Sequence, residues 1–169
     1  MKKWIGFEKG INLGGWLSQW DLTDKEHLET FITEADIQQI REMGADHVRL
    51  PVDYSLLEEE DGTPKDENFI YIDRCLEWCK KAGLHMILDL HKTAGYAFDE
   101  ANDCEAFFES EALQERFLCL WDKLAARYGQ EPDFIALELL NEIVNPAVSD
   151  IWNALAARAI ERIRRITKD

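Results

Sequence analysis

Four short apolar runs alternate with longer amphipathic segments, and this alternation limits the folds that the chain can adopt. Apolar runs of this length are typical of buried strands, and apolar residues repeated every three or four positions are typical of helices that cover a sheet. The pattern predicts four strand-then-helix units, with Pro51 ending ladder pairing in the second strand. The runs are Gly10-Ile11-Asn12-Leu13, His47-Val48-Arg49-Leu50-Pro51, His85-Met86-Ile87-Leu88-Asp89-Leu90 and Phe134-Ile135-Ala136-Leu137-Glu138-Leu139-Leu140.

Helix boundaries are marked by capping residues. A helix is expected to start near Thr33, with Asp36 completing a weak capping box, and to stop at Gly44. Gly83 is placed as the C-cap of the next helix. The other apolar stripes are Phe69, Ile72, Leu76 and Cys79; Leu113, Phe117, Leu120 and Leu124, which end at Gly129; and Ile151, Leu155, Ala159 and Ile163.

The order of these elements predicts an α/β fold with parallel strands. Right-handed crossovers place successive strands side by side, and four such units are half of a (β/α)8 TIM barrel. We therefore expect residues 1–169 to form a single domain, the N-terminal half of such a barrel. A doubly wound sheet is the competing fold, but Gly10 to Gly15 does not match the G-x-G-x-x-G pattern of nucleotide-binding turns.

Charge restricts the partners. The 169 residues include 19 basic and 34 acidic ones, a net charge of −15. Nucleic acid and anionic membrane surfaces would repel this chain at long range, so a neutral substrate fits better, although acidity also serves solubility.

Targeting and cysteine patterns predict a cytoplasmic protein. The N-terminus has two lysines but no apolar segment typical of a secretory signal, and no run approaches the about 18 apolar residues of a membrane span. We expect Cys75, Cys79, Cys104 and Cys119 to be reduced core or half-buried thiols, with no metal site and no cofactor.

Polar residues end each predicted strand. They are Asn12 and then Trp16 for the first, Arg49 with Asp53 and Tyr54 for the second, Asp89 and His91 for the third, and Glu138, Asn141 and Glu142 for the fourth. Each residue alone has an ordinary structural explanation, such as a salt bridge or a helix start. The carboxyl ends of barrel strands meet at one face, where active sites lie, so their coincidence favours a functional site.

Four of these segments resemble the strand signatures of glycoside hydrolase family 5, the cellulase-like β-glycanases. They are Gly10-Ile11-Asn12-Leu13-Gly14-Gly15-Trp16, Val48-Arg49-Leu50-Pro51, Ile87-Leu88-Asp89-Leu90-His91 and Leu139-Leu140-Asn141-Glu142. Each motif is weak alone, but four in the right order cover essentially the whole chain.

The resemblance implies a retaining β-glycosidase that hydrolyses β-glucan. Glu142 matches the general acid/base and Asn141 the residue that binds the sugar 2-hydroxyl. Arg49 matches the arginine that supports the nucleophile, and His91 a histidine of the cleavage subsite. Such an acid must stay protonated near neutral pH, so we expect burial and a neighbouring carboxylate to raise the pKa of Glu142.

Aromatic residues after strands one and three are candidate platforms for sugar rings. We expect Trp16, Trp20, Tyr96 and Phe98 to serve this purpose, although packing beneath a loop is an equally good explanation for each. Trp121 and Trp152 fall on helices and are expected in the core.

The resemblance also implies that the nucleophile, a glutamate after strand seven, is not in this chain. Asp150, Glu161 and Asp169 fall in or after the last helix, with their carboxylates expected to face outward. An aldolase-type barrel would need a Schiff-base lysine, and Lys92 is the one lysine near a strand end.

Unpaired outer strands should make this half associate, either as a homo-oligomer or with a C-terminal half through the sheet edges. The alternative function is a catalytically inactive half-barrel that serves as an assembling or carbohydrate-binding fragment.

Overall fold

The computed structural model describes residues 5–98 and 106–167. Within these ranges the chain forms a four-stranded parallel sheet in the order β1-β2-β3-β4, so consecutive strands are neighbours, as predicted. The strands are β1 (Gly10–Asn12), β2 (His47–Asp53), β3 (His85–Lys92) and β4 (Ile135–Glu138).

The four longest helices of the described residues lie where the sequence pattern predicted helices, and three shorter helices were not predicted. The amide of Thr33 donates a hydrogen bond to the Asp36 carboxylate at 2.8 Å, and Gly83 is a left-handed C-cap with φ of 68°. No helix in the described ranges is both long and apolar enough to span a membrane. The helices are α1 (Lys25–Thr30), α2 (Glu34–Glu42), α3 (Tyr54–Leu57), α4 (Ile70–Ala82), α5 (Ala106–Glu109), α6 (Glu111–Tyr128) and α7 (Ser149–Ile166), with 3₁₀ turns at Asp66–Phe69 and Pro146–Val148.

The two faces of the sheet have different surroundings. Side chains alternate between the faces, so Val48, Leu50, Met86 and Leu88 all point to one side, where they are buried in the hydrophobic core. The almost continuously apolar run in β3 is typical of a strand covered on both faces, but Ile87 on the opposite face is half-exposed. The strand register arranges the side chains of that face in three layers: Gly10, His47 and His85; Asn12, Arg49, Ile87 and Ala136; and Pro51, Asp89 and Glu138.

The prediction that Pro51 ends strand pairing is wrong. Pairing with β3 continues past it, with Pro51 opposite Asp89. Residues on either side explain this, because the backbone carbonyl of Arg49 accepts from the amide of Leu13 and the amide of Asp53 donates to the carbonyl of Leu17. Alternate residues therefore direct their backbone groups toward the β1 side, so the missing N–H of Pro51 falls where β1 has already ended.

Cysteines occupy two kinds of environment. Cys75 and Cys79 are buried free thiols one turn apart on α4, as expected. Hydrogen bonding between these two thiols and burial raise the pKa of Cys75. Cys119 is exposed on α6, so the expectation of a core or half-buried thiol is wrong there. Cys104 lies outside the described residues.

The segment before β1 closes the amino-terminal end of the sheet. The ring of Phe7 lies 4.9 Å from that of His85 and 5.5 Å from that of His47. Asp46 accepts hydrogen bonds from the amides of Glu8 and Lys9 and contacts Nδ1 of His47 at 2.7 Å. Partial desolvation raises the pKa of Asp46, but these hydrogen bonds outweigh it and lower the pKa to about 2.

We predict that Asp46→Asn removes an acid-sensitive part of the stability. The lowered pKa means that ionised Asp46 contributes fully above its unfolded pKa of about 4, and that this contribution is lost as pH falls toward about 2. With allowance for solvent screening, Asp46→Asn should lower the free energy of unfolding by about 1 kcal/mol at pH 7. Urea denaturation between pH 7 and pH 2 should show a shallower acid loss in this variant than in wild type. Glu77→Gln on exposed α4 surface is the control, and equal acid slopes in wild type and Asp46→Asn would contradict the prediction.

Candidate functional site

A pocket of about 330 Å³ opens at the carboxyl ends of the strands. Four of the predicted site residues line it, namely Arg49, His91, Asn141 and Glu142. They come from three different strands and the loops that follow them. The parallel register brings them together, because the ends of β2, β3 and β4 lie side by side. The other lining residues are Asn12, Gln19 and Phe98.

Arg49 is the centre of the hydrogen-bond network. Its Nε and Nη2 bind both oxygens of Glu138 at 2.7 and 2.8 Å, and Nη2 also lies 2.8 Å from Asp89 Oδ2. Nη1 donates to Asn12 Oδ1 at 3.0 Å. The hydrogen bond to Glu138 and the negative charges of Asp89, Glu138 and Glu142 raise the pKa of Arg49 against the effect of burial. A fixed cation therefore sits between three carboxylates.

The orientation of Asn141 follows from Arg49. Asn141 is buried, and its Oδ1 accepts from Nη2 of Arg49 at 2.9 Å. Arginine can only donate, so the oxygen of the amide must face Arg49 and the NH2 group must face away from it. A hydroxyl oxygen bound beside Asn141 would meet an oriented donor.

Asp89 orients His91. The Asp89 side chain is buried, and its Oδ2 lies 2.7 Å from Nδ1 of His91 as well as beside Arg49. Burial is the largest effect and raises the pKa of Asp89 above its usual value. The hydrogen bond from His91 and the charge of Arg49 oppose this shift. A carboxylate partner favours the tautomer with the proton on Nδ1, which leaves Nε2 of His91 as an acceptor.

Glu142 occupies the rim in an uncommon backbone conformation. Its φ is 47°, in the left-handed region that non-glycine residues rarely adopt, and its carbonyl accepts from the hydroxyl of Tyr96 at 2.6 Å. We expected Glu142 to be buried, but it is exposed. The reason is that the sheet ends at β4 within the described ranges, so no further strand covers this side.

The expectation that Trp16 is a platform for sugar rings is wrong, because Trp16 is buried. Trp16 is only 1% exposed, its Nε1 donates to the carbonyl of Leu28, and its ring stacks on Trp78. Tyr96 is 6% exposed, packs edge-on against Phe108, and does not line the pocket, so its ring is not available as a platform either.

The other aromatic residues divide as follows. Phe98 is 48% exposed and lines the pocket, whereas Trp20 is exposed but stacks on His27 outside the lining. Trp121 is fully buried, as predicted, and Trp152 is half-buried against Phe117.

Gln19 was not predicted and also lines the pocket. Its φ is 61°, and its backbone amide donates to Oδ2 of buried Asp53 at 3.3 Å. Burial is the largest effect and raises the pKa of Asp53 above its usual value. Hydrogen bonds from Ser18 and the backbone amide of Gln19, and the charge of Lys92, oppose this shift. No motif surrounds Gln19, and the one available signal was its place in the loop that follows the first strand.

The acids of α7 do not line the pocket. Asp150 and Glu161 are exposed on this helix, as expected, and Asp169 lies outside the described residues.

Comparison with known families decides the classification. The family model for the cellulases, glycosyl hydrolase family 5, matches residues 7–169. The chain belongs to glycosyl hydrolase family 5.

Two curated relatives illustrate how much of a family-5 protein is present. The chain is 45% identical over its whole length to Cellodextrinase A of Ruminococcus flavefaciens, and covers 50% of that protein. It is 49% identical over 96% of its length to Endoglucanase C of Acetivibrio thermocellus, and covers 47% of that protein. The chain therefore spans about half the length of the curated relatives it matches.

Solved structures agree with the half-barrel assignment. A glycoside hydrolase structure matches with a TM-score of 0.79 at 27% identity, over 95% of this chain and 50% of that one. The endoglucanase Cel5A of Thermotoga maritima matches with a TM-score of 0.77 at 27% identity, over 96% of this chain and 49% of that one. The four βα units of this family-5 chain are the N-terminal half of a (β/α)8 barrel.

We predict that Arg49→Met destabilises this family-5 chain by about 3 kcal/mol, because Asp89 would remain buried with its main cation removed. The double variant Arg49→Met/Asp89→Asn should recover part of this loss, which urea denaturation followed by circular dichroism would measure. Arg74→Met, which breaks an exposed pair with Glu29, is the matched control and should cost less than about 1 kcal/mol. Equal losses for Arg49→Met and Arg74→Met would contradict the prediction.

Proposed function

We propose that this chain supplies the acid/base side of the active site of a retaining β-glycosidase, an endo-acting β-glucanase, with Glu142 as the general acid/base. The observation that carries the proposal is the convergence of Arg49, His91, Asn141 and Glu142 on one pocket at the strand ends. An oriented amide donor and an exposed carboxyl group are adjacent in sequence there. Sugar hydroxyls and a glycosidic oxygen are the groups that such a pair would bind and protonate.

The proposed mechanism needs a second carboxylate. In retaining enzymes two carboxyl groups stand about 5 to 5.5 Å apart, one protonating the leaving oxygen while the other attacks the anomeric carbon, before water releases the covalent intermediate. Glu138 is a poor nucleophile because Arg49 binds both of its oxygens. Supply of the nucleophilic glutamate by a C-terminal half is therefore part of the proposal.

Arg49 is prepared to receive that carboxylate. Nη1 carries two N–H bonds, and its acceptor among the described residues is Asn12 Oδ1. One N–H is thus left for a further acceptor, and Arg49 lines the pocket. An incoming carboxylate would be held by a cation that is already fixed in place, which preorganises the nucleophile.

The substrate class follows from the relatives. Two curated relatives are named as an endoglucanase and a cellodextrinase, and we extend β-glucan as substrate to this chain. The exposed ring of Phe98 could stack on a sugar at the pocket rim. Paired carboxylates perform this chemistry without a cofactor.

We predict that Glu142→Gln strongly slows hydrolysis. The assay would use a soluble β-glucan and the assembled glycosidase, which is this chain joined to the second half of the Acetivibrio thermocellus endoglucanase. Loss of the general acid should lower kcat by about 100-fold or more with little change in KM. Asp150→Asn on exposed α7 is the control. Retention of wild-type activity by Glu142→Gln would remove Glu142 from the proposed role.

A second candidate function, an assembling fragment without activity of its own, is favoured by the open side of β4. A groove of about 590 Å³ runs between β4 and α7, with Phe7, Ile135, Leu137 and Ile163 among its apolar lining. A strand edge beside exposed apolar surface is a site for pairing with another chain segment. We propose that a C-terminal half covers this side, and that a second copy of the chain does so when that half is absent.

We predict that the isolated 169-residue chain self-associates through this groove. Size-exclusion chromatography with light scattering should give a mass above that of the monomer, and Leu137→Lys should shift the mass toward the monomer because it places a charge in the apolar groove. Met43→Lys, at an exposed position on α2, is the matched control. A wild-type monomer at high concentration would contradict the proposal.

A further inference from the structure

The segment that carries Glu142 is held by side chains from three separate elements. Arg49 of β2 holds Glu138 and Asn141, and Nε1 of Trp121 on α6 donates to the carbonyl of Leu139 at 3.0 Å. The Tyr96 hydroxyl holds the carbonyl of Glu142. These contacts fix the chain on both sides of the peptide that joins Asn141 to Glu142.

The contact from Tyr96 falls where the backbone needs support. Glu142 and Gln19 are the two non-glycine residues with positive φ in the part of the chain that the structure describes. For a residue with a Cβ, the left-handed conformation is sterically unfavourable and persists where the surroundings enforce it. A 2.6 Å hydrogen bond to the carbonyl of Glu142 itself is such an enforcing contact.

Tyr96 is itself rigidly placed. Its amide and carbonyl exchange hydrogen bonds with those of Thr93, which closes a tight turn immediately after β3. Gly95, inside that turn, has a φ of 80°, and a Cβ there would lie 2.6 Å from the side chain of Leu113. The ring packs edge-on against Phe108 at 5.3 Å. The hydroxyl therefore approaches Glu142 from a fixed position.

We propose that Tyr96 is a positioning residue for Glu142, whose hydroxyl holds the left-handed backbone that directs the Glu142 carboxyl group into the pocket. The proposal rests on the proposed function only in taking Glu142 as the acid. Tyr96 binds the carbonyl and not the carboxyl group, so it acts on the direction of the side chain and takes no part in proton transfer. Without the hydroxyl, Glu142 relaxes toward negative φ and its carboxyl group moves away from the leaving oxygen.

Tyr96→Phe tests the proposal, because it removes the hydroxyl and keeps the ring. In the assembled glycosidase, a displaced general acid should slow substrates whose leaving group needs a proton and spare those whose leaving group departs unaided. We expect kcat/KM on β-glucan to fall about 30-fold and kcat/KM on a dinitrophenyl β-cellobioside, which reports the first chemical step without the need for a proton donor, to fall less than about threefold. Tyr128→Phe is the matched control, since it removes another buried tyrosine hydroxyl, one bonded to Asp73. It should lower stability without any dependence on the leaving group.

A second measurement keeps the proposal independent of activity. Heteronuclear NMR of the 169-residue chain, with Glu142 labelled, should show positive φ in wild type and a shift toward negative φ in Tyr96→Phe. Unchanged φ in the variant, or equal losses of kcat/KM on the two substrates, would overturn the role of Tyr96. Failure of wild type to cleave either substrate would count against the proposed function alone, and the NMR result would still decide the role of Tyr96.

Discussion

The charge of Arg49 is the constraint on which the site depends. A guanidinium group on the open face of the sheet must satisfy its donors, and it does so by binding the carboxylates at the ends of β3 and β4. Asp89, which is fully buried, requires that cation, because an isolated buried carboxylate is costly. One electrostatic requirement thus ties three strands together and orients both Asn141 and His91.

The preorganised side of the pocket contrasts with its open side. Hydrogen bonds from β2, α6 and the loop after β3 fix the end of β4 before any ligand arrives. Beyond β4, the described chain offers an apolar groove and an unpaired strand edge. This division matches a chain that spans half the length of its family-5 relatives. Under the proposed function, the hydrogen-bonded side of the site holds Glu142 in place, and a C-terminal half covers the groove.

The sequence predicted the strands and the convergence of Arg49 and Glu142, because hydrophobic period and strand order are encoded locally. It failed where distant contacts decide the outcome. The place of Trp16 after β1 favoured a role as a sugar platform. Trp16 is instead buried, where its indole N–H donates to the carbonyl of Leu28 on α1 and its ring stacks on Trp78. Pro51 continues its strand because the missing N–H faces a side where β1 has ended. Gln19 could not be found, since positive φ at a non-glycine residue leaves no mark in the sequence.

The stereochemistry of the first product tests the central claim, that Glu142 works with an incoming carboxylate in a double displacement. Proton NMR of the anomeric region, recorded while the assembled glycosidase cleaves a β-glucan oligosaccharide, reports the configuration before mutarotation. Two carboxyl groups about 5 to 5.5 Å apart predict that the β-anomer appears first. Initial formation of the α-anomer would mean a direct attack by water across a wider gap, and would contradict the account.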